Sequence, residues 1–308
     1  MFFKAASLLA AASLVSAGSA PSAPNSPSPS PADAKSLTNN FPVLSCTLAT
    51  TQESCHSAYA IAPNSSASCC YQAALVPGGK ESGLVLQTQF YDTAATSVNP
   101  GPANSTTVHG LWPDYCDGTY PAFCTADTGI PSYNGSQIRD VVAKYDPKLL
   151  SFMDSTWTDY QDADPSSFWA HEQNKHGTCF STLRPACQFP RPHITRDDAV
   201  ILGYFRETVR RFRQLPTLTW LAQAGIVQSD AVLYNLTDVQ AVLKKASGGL
   251  PYVGCAKGTN RLSEFWYYSF VNGPLIGAVY HPTDATFNST CPPQVSLPVK
   301  YNATSASA

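Results

Sequence analysis

Ten cysteines are spread along this 308-residue chain, and they limit its folding more than any other feature. They stand at 46, 55, 69, 70, 116, 124, 179, 187, 255 and 291. The count is even and no two form a C-x-x-C pair, so the pattern reads as a disulfide framework of up to five bridges rather than a metal-binding array. Neighbouring Cys69 and Cys70 do not bond each other easily, so each is expected to reach a distant partner. Bridges require an oxidising compartment, and the start of the chain supplies the route. Lys4, an apolar run over 5–15 and the small residues Ala17, Gly18, Ser19 and Ala20 predict a secretory signal peptide over residues 1–19. That run is too short to span a bilayer, and no later stretch is long enough, so no membrane anchor is expected.

Residues 20–41 open with a Pro-, Ser- and Ala-rich stretch that cannot bury a core, and read as a linker or propeptide. Residues 42–295 are expected to form a single domain around one core, and 296–308 a flexible tail. Six N-x-S/T sequons, at Asn64, Asn104, Asn134, Asn235, Asn288 and Asn302, suit an extracytoplasmic path. The formal net charge is −2. That excludes holding a polyanion by bulk field, so any such partner must be met at a compact site.

Residues 83–92, GLVLQTQFYD, alternate so that Leu84, Leu86, Thr88 and Phe90 share one face, which predicts a strand. Residues 106–114, TTVHGLWPD, read as a second strand that breaks at Gly110 and Pro113, placing His109 near a strand end. The middle of the chain is helical. Asp164 suits an N-cap, Pro165 the first helical position and Gly177 the C′ position of one helix. Residues 195–215 carry apolar residues at helical spacing and an arginine-rich outer face that reads as solvated surface. Thr237 and Gln240 suggest a capping box for a later helix, and 262–271 a late strand. Strands towards both ends with helices between them indicate an α+β fold.

The stretch WAHEQNKHGTC, residues 169–179, packs two of the six histidines against a glutamate and a lysine. On a helix with His171 at 0°, Lys175 falls at about 40°, Glu172 at about 100° and His176 at about 140°. All four share a face, with His171 beside Lys175 and Glu172 beside His176. A zinc helix of the H-E-x-x-H kind needs histidines at i and i+4, and here i+4 is a lysine. An ordinary helix surface with i,i+4 ion pairs remains open. So does acid–base chemistry at an anion, with histidines titrating near neutrality and a lysine holding an oxygen. A third histidine lies in HGLWPD, His109, followed by Trp112 and Asp114, the ring and carboxylate that a base-stacking pocket needs.

Together, TVHGLWPD and FWAHEQNKHGTC resemble the two catalytic segments of the ribonuclease T2 family of secreted acid ribonucleases, of fungal type, and LQTQFYD resembles the family's early central strand. The resemblance covers residues 42–295. It implies an α+β fold with a central antiparallel sheet flanked by helices, stapled by disulfides into one domain. It also implies metal-independent endoribonuclease activity with no cofactor. Single-stranded RNA would be cleaved by lyase-type transphosphorylation to 2′,3′-cyclic phosphates, then 3′-phosphates. By the same resemblance His176 is the general base, His109 the general acid and His171 a phosphate-binding residue. Glu172 and Lys175 support the transition state, and Trp112, Asp114 and Tyr120 bind the base. DNA, lacking the 2′-hydroxyl, would not be cleaved. A monomer is expected, outside the cell or in a vacuole- or lysosome-like compartment. The family's cysteine pattern suggests Cys46–Cys69, Cys55–Cys116, Cys70–Cys187, Cys124–Cys179 and Cys255–Cys291. One position departs from the family: Gln173 stands where tryptophan is usual. It lies off the reactive arc, at about 200°, which implies altered packing behind the site rather than lost chemistry. Two other classes are a non-catalytic effector on the same scaffold, against which the intact His109, Glu172, Lys175 and His176 set argues, and a carbohydrate-binding protein, suggested only by aromatics that are more often core.

Overall fold

A computed structural model describes residues 52–56, 69–72, 80–94, 96–188 and 192–300. The signal peptide, the linker, Cys46, Asn64 and Asn302 lie outside the described residues.

The first strand, β1 (Ser82–Phe90), pairs antiparallel with β2 (Thr107–Tyr115). Helices α1 (Thr125–Thr128), α2 (Gly135–Tyr145), α3 (Pro147–Thr156) and α4 (Ser166–Lys175) follow, then three 3₁₀ turns, then α5 (Arg196–Arg213) and α6 (Thr217–Gln223). Strand β3 (Leu233–Asn235) leads into α7 (Leu236–Ser247), and the chain closes with β4 (Tyr252–Cys255), β5 (Leu262–Asn272), β6 (Val279–Thr283) and β7 (Gln294–Ser296). The main sheet runs β2-β1-β5-β4, with β6 also paired to β5, and every pairing in it is antiparallel. β3 and β7 form a separate two-stranded ribbon. The molecule is the expected α+β fold with a central antiparallel sheet flanked by helices.

The alternation of β1 sorts the two faces of the sheet. Val85 on one side joins Val108, Leu111, Trp157, Trp169, Tyr204 and Phe205 in the largest apolar cluster, beneath α5. Leu84 and Leu86 on the other side pack with Tyr252, Tyr268, Trp112 and Trp266. α5 is seated by Thr195, whose hydroxyl accepts the Asp198 N–H. Its apolar residues recur at helical spacing, and Val200, Ile201, Tyr204 and Phe205 are buried. The arginine-rich face is not uniformly solvated. Arg211 is buried and its guanidinium donates to Ser269 Oγ at 3.0 Å.

Several sequence expectations are corrected here. β2 does not break at Gly110 or Pro113. It is an edge strand, where a proline costs no ladder bond, so His109 lies inside the strand. The Thr237–Gln240 capping box does not form: α7 begins two residues earlier, behind Asn235, without a side-chain cap. Asp164 still accepts the Ser166 N–H at 3.0 Å, but Pro165 occupies the N-cap position of α4. The chain does not loosen at 296. Ser296 belongs to β7, Leu297 is buried, and Lys300 is buried with its ammonium on the Pro100 carbonyl at 2.7 Å.

The disulfides correct the family pairing at the adjacent cysteines. Cys69 bonds Cys187, replacing both Cys46–Cys69 and Cys70–Cys187. Cys70 is also disulfide-bonded, to a partner outside the described residues. Cys55–Cys116, Cys124–Cys179 and Cys255–Cys291 form as expected. Neighbouring residues present nearly the same backbone to a partner, so the sequence could not choose between 69 and 70. Of the sequons, Asn104, Asn134, Asn235 and Asn288 are exposed.

Candidate active site

A bulge in β2 builds the first half of the site. Thr88 pairs with Gly110 and Gln89 with Val108, so His109 is the extra residue between two successive rungs. A bulge re-aims a side chain. Val108 points under the sheet into the core, and the His109 imidazole turns to the upper face. There it stacks on Phe90, ring centroids 3.8 Å apart, and meets the edge of Trp112 at 4.7 Å.

Helix α4 brings the second half. Its C-terminal end is fixed to the loop after β2 by Cys124–Cys179 and by the Phe123 N–H donating to the Lys175 carbonyl at 3.0 Å. From below, the Tyr204 hydroxyl donates to the Leu111 carbonyl at 3.2 Å and approaches the Glu172 carbonyl at 3.4 Å, joining β2 to α4. The Glu172 side chain is fully buried and its Oε2 accepts the Trp112 indole N–H at 2.8 Å. Oε1 faces His109 Nε2 at 3.6 Å and His171 Nε2 at 4.0 Å. Gly110 makes this approach possible, because a Cβ there would stand 2.0 Å from Glu172 Oε2. Glu172 therefore turns towards β2 rather than pairing with His176, one turn along the helix. His176 is the C-cap of α4, is buried, and lies flat on Trp112 with centroids 4.6 Å apart and planes 15° from parallel. The two imidazoles contributed by distant segments thus meet at one indole, one edge-on and the other stacked.

Burial sets the charge states of the site. It pushes the His109 imidazole down to about 3, with the nearby Lys175 and His171 charges acting in the same direction. It pushes His176 down to about 2, again helped first by Lys175 and then by His109 and His171. His171, half of whose side chain is exposed, is lowered by burial and by Lys175. The Glu172 carboxyl is pushed up to about 8 by burial, against the opposing Trp112 hydrogen bond and Lys175 charge. Asp114, two residues beyond Trp112 on the same face, is buried and raised to about 8 by desolvation. Without an anion, both central imidazoles are neutral and the two carboxyls hold their protons through mildly acidic pH.

The remaining expected residues sit around this centre. Tyr120 is on the loop after β2 with 62% of its surface exposed. Gln173 points away from the reactive face, fully buried. Among the described residues neither end of its amide has a hydrogen-bond partner, and it packs against Gly177, where a Cβ would come within 2.9 Å of the amide. Among the described residues no group of three or more His, Cys, Asp or Glu side chains is placed to hold a metal ion. Sequence reasoning overlooked Gly110 as the residue that admits Glu172 and Phe90 as the platform for His109. The alternation of β1 carried a signal for Phe90, since it shares a face with Leu86.

Similarity to known proteins matches this arrangement. The profile of the Ribonuclease T2 family matches residues 82–288. The chain belongs to that family. It is 38% identical over 228 residues to Ribonuclease M of Aspergillus phoenicis, covering 73% of this chain and 87% of that protein. It is 36% identical over 242 residues to Ribonuclease T2-like 1-A of Candida albicans, covering 78% of this chain but 56% of that longer relative. Among solved structures, that of Actibind, a T2 ribonuclease, superposes with a TM-score of 0.68 at 36% identity, over 82% of this chain and 96% of Actibind.

Proposed function

We propose that this protein is a secreted endoribonuclease that cleaves single-stranded RNA by transphosphorylation. The 2′-hydroxyl attacks the adjacent phosphorus and the bond to the 5′-oxygen breaks. A 2′,3′-cyclic phosphate forms and is later opened by water to a 3′-phosphate. The observation that carries this reading is the convergence of His109, edge-on, and His176, stacked, on one indole, Trp112, with Glu172 beside His109 and the Lys175 charge acting on both.

His176 is neutral in the free protein, the state a base needs to take the 2′-hydroxyl proton. His109 must arrive protonated to serve as acid at the 5′-oxygen. An entering phosphodiester anion favours that cation, and the Glu172 carboxyl lies 3.6 Å from its Nε2. Lys175 and His171 supply positive charge for the phosphorane-like transition state, where oxygen charge builds up. Asp114, protonated at acid pH, presents an O–H donor beside a carbonyl acceptor. That pair complements the amino group and ring nitrogen at the edge of adenine or cytosine. Trp112 gives one face to His176, so stacking of the base falls to its remaining surface and to the exposed ring of Tyr120.

The test is incubation of the purified protein with RNA and EDTA at mildly acidic pH, followed by analysis of the ends. Cyclic-phosphate ends are expected, and His176→Ala and His109→Ala should each abolish them. Wild-type protein that binds RNA but leaves it intact would overturn the reading.

A further inference from the structure

On the far side of α5 from the reaction centre lies a cavity of about 360 Å³. Tyr204 faces the sheet and touches Leu111 and Glu172. Arg206 comes two residues later, about 200° around the helix. Arg206, Arg210 and Arg213, at i, i+4 and i+7, share that outer face. They line the cavity with Lys148, Asp146 and Gln214.

The chemistry of the lining is one-sided. Asp146 is its only carboxylate and is already committed. One oxygen accepts the Arg206 Nε–H at 2.8 Å and the other accepts the Leu149 N–H at 3.1 Å. Arg210 engages the buried Glu207 through Nε and one terminal nitrogen, which also donates to the Ala278 carbonyl. Among the described residues no carboxylate pairs with Lys148 or Arg213, both exposed, and Arg213 rests on the Phe152 ring. Asp146 and Glu207 thus offset two of the four cations and leave Lys148 and Arg213 uncompensated, in a chain with two more acidic than basic residues (21 against 19). Arginines in the last turn of α5 are explained by the helix dipole. Lys148 is not, for it sits in the first turn of α3, where the dipole disfavours a cation. Guanidinium groups with unused donors around a concave space suit an anion rich in acceptor oxygens.

We infer that the cavity between α3 and α5 is a second phosphate-binding site, which takes a polyphosphate or two successive phosphates of a nucleic-acid strand. Arg206, Arg210, Arg213 and Lys148 are the donors. If the occupant is a strand, the site grips RNA outside the segment being cleaved, a role that rests on the function proposed above.

The double variant Lys148→Ala/Arg213→Ala tests this, since it spares the Arg206–Asp146 and Arg210–Glu207 ion pairs. In the first arm, calorimetry with inorganic pyrophosphate is expected to show a loss of about tenfold or more in affinity at the cavity. In the second, fluorescence anisotropy with a labelled single-stranded thymidine 20-mer is expected to give a salt dependence shallower by about 1.4 in log–log slope, the value for two lost phosphate contacts. A change in the first arm alone assigns the site to free polyphosphates, and a change in the second assigns it to the strand. Unchanged binding in both arms would overturn the inference. Cleavage of a dinucleoside monophosphate, too short to reach round α5, should be equal in wild type and variant. Its absence from both would count against the proposed function and leave the cavity untouched.

Discussion

The Trp112 indole N–H donates to Glu172 Oε2 at 2.8 Å, tying the bulged edge strand to the histidine helix inside the reaction centre. Trp112→Phe keeps a ring against His176 and removes this bond. The carboxyl is then left buried without its donor, at a cost of about 1–3 kcal/mol in stability. Loss of its aim should lower kcat on a dinucleoside monophosphate by roughly 10- to 100-fold. A variant with reduced KM effects only and wild-type kcat would show that the indole serves the base alone.

Ligand binding should draw protons from solution. His109 and His176 are held neutral by burial, down to about 3 and about 2, and a phosphate anion placed between them reverses the balance for at least one. Calorimetry of a 3′-nucleotide at pH 5.5 in two buffers of different ionisation enthalpy should show net proton uptake. Zero uptake, or release, would contradict the charge states assigned here.

Thermal stability should peak between about pH 4.5 and 6.5. Below 6.5 the unfolded chain protonates histidines that the fold keeps neutral until about 3 or lower, so stability falls as the pH drops. Above 4.5 the unfolded chain ionises carboxyls that Glu172 and Asp114 keep protonated up to about 8, so stability falls as the pH rises. A series of melting temperatures from pH 3 to 9 checks this. Asp114→Asn should flatten the alkaline side, and an unaltered profile would remove Asp114 from the account.

Gln173 is a buried amide with no hydrogen-bond partner at either end among the described residues. Replacing it with methionine, similar in length, should stabilise the protein by about 1–3 kcal/mol, read as a rise in urea midpoint. Activity should be retained, because the side chain points away from Trp112. A destabilised Gln173→Met would mean that the amide is satisfied after all.

The site was legible in sequence to the extent that helical geometry could carry it. One 100° step per residue put His171, Glu172, Lys175 and His176 on one face, and the structure keeps them at one end of α4. What the wheel could not show was where Glu172 turns. Its neighbour proved to be Trp112, sixty positions away in sequence, because Gly110 leaves room for it. The period-two pattern of β1 identified the strand and its faces. The same logic failed on β2, since Gly110 and Pro113 look like breakers unless the strand is known to lie at the sheet edge. The choice between Cys69 and Cys70 was likewise invisible, as it depends on a difference of one residue in a loop-rich region.

The extra residue in β2 separates folding from chemistry at a single point. Were the strand straightened there, β1 and β2 could still zip together and Leu111 would still seat against α5. The imidazole, however, would take the place opposite Gln89 and swing beneath the sheet among the helices. Such a molecule could remain a sound scaffold with a silent groove, so a single-residue slip in this rim strand is enough to turn a nuclease into an inert relative.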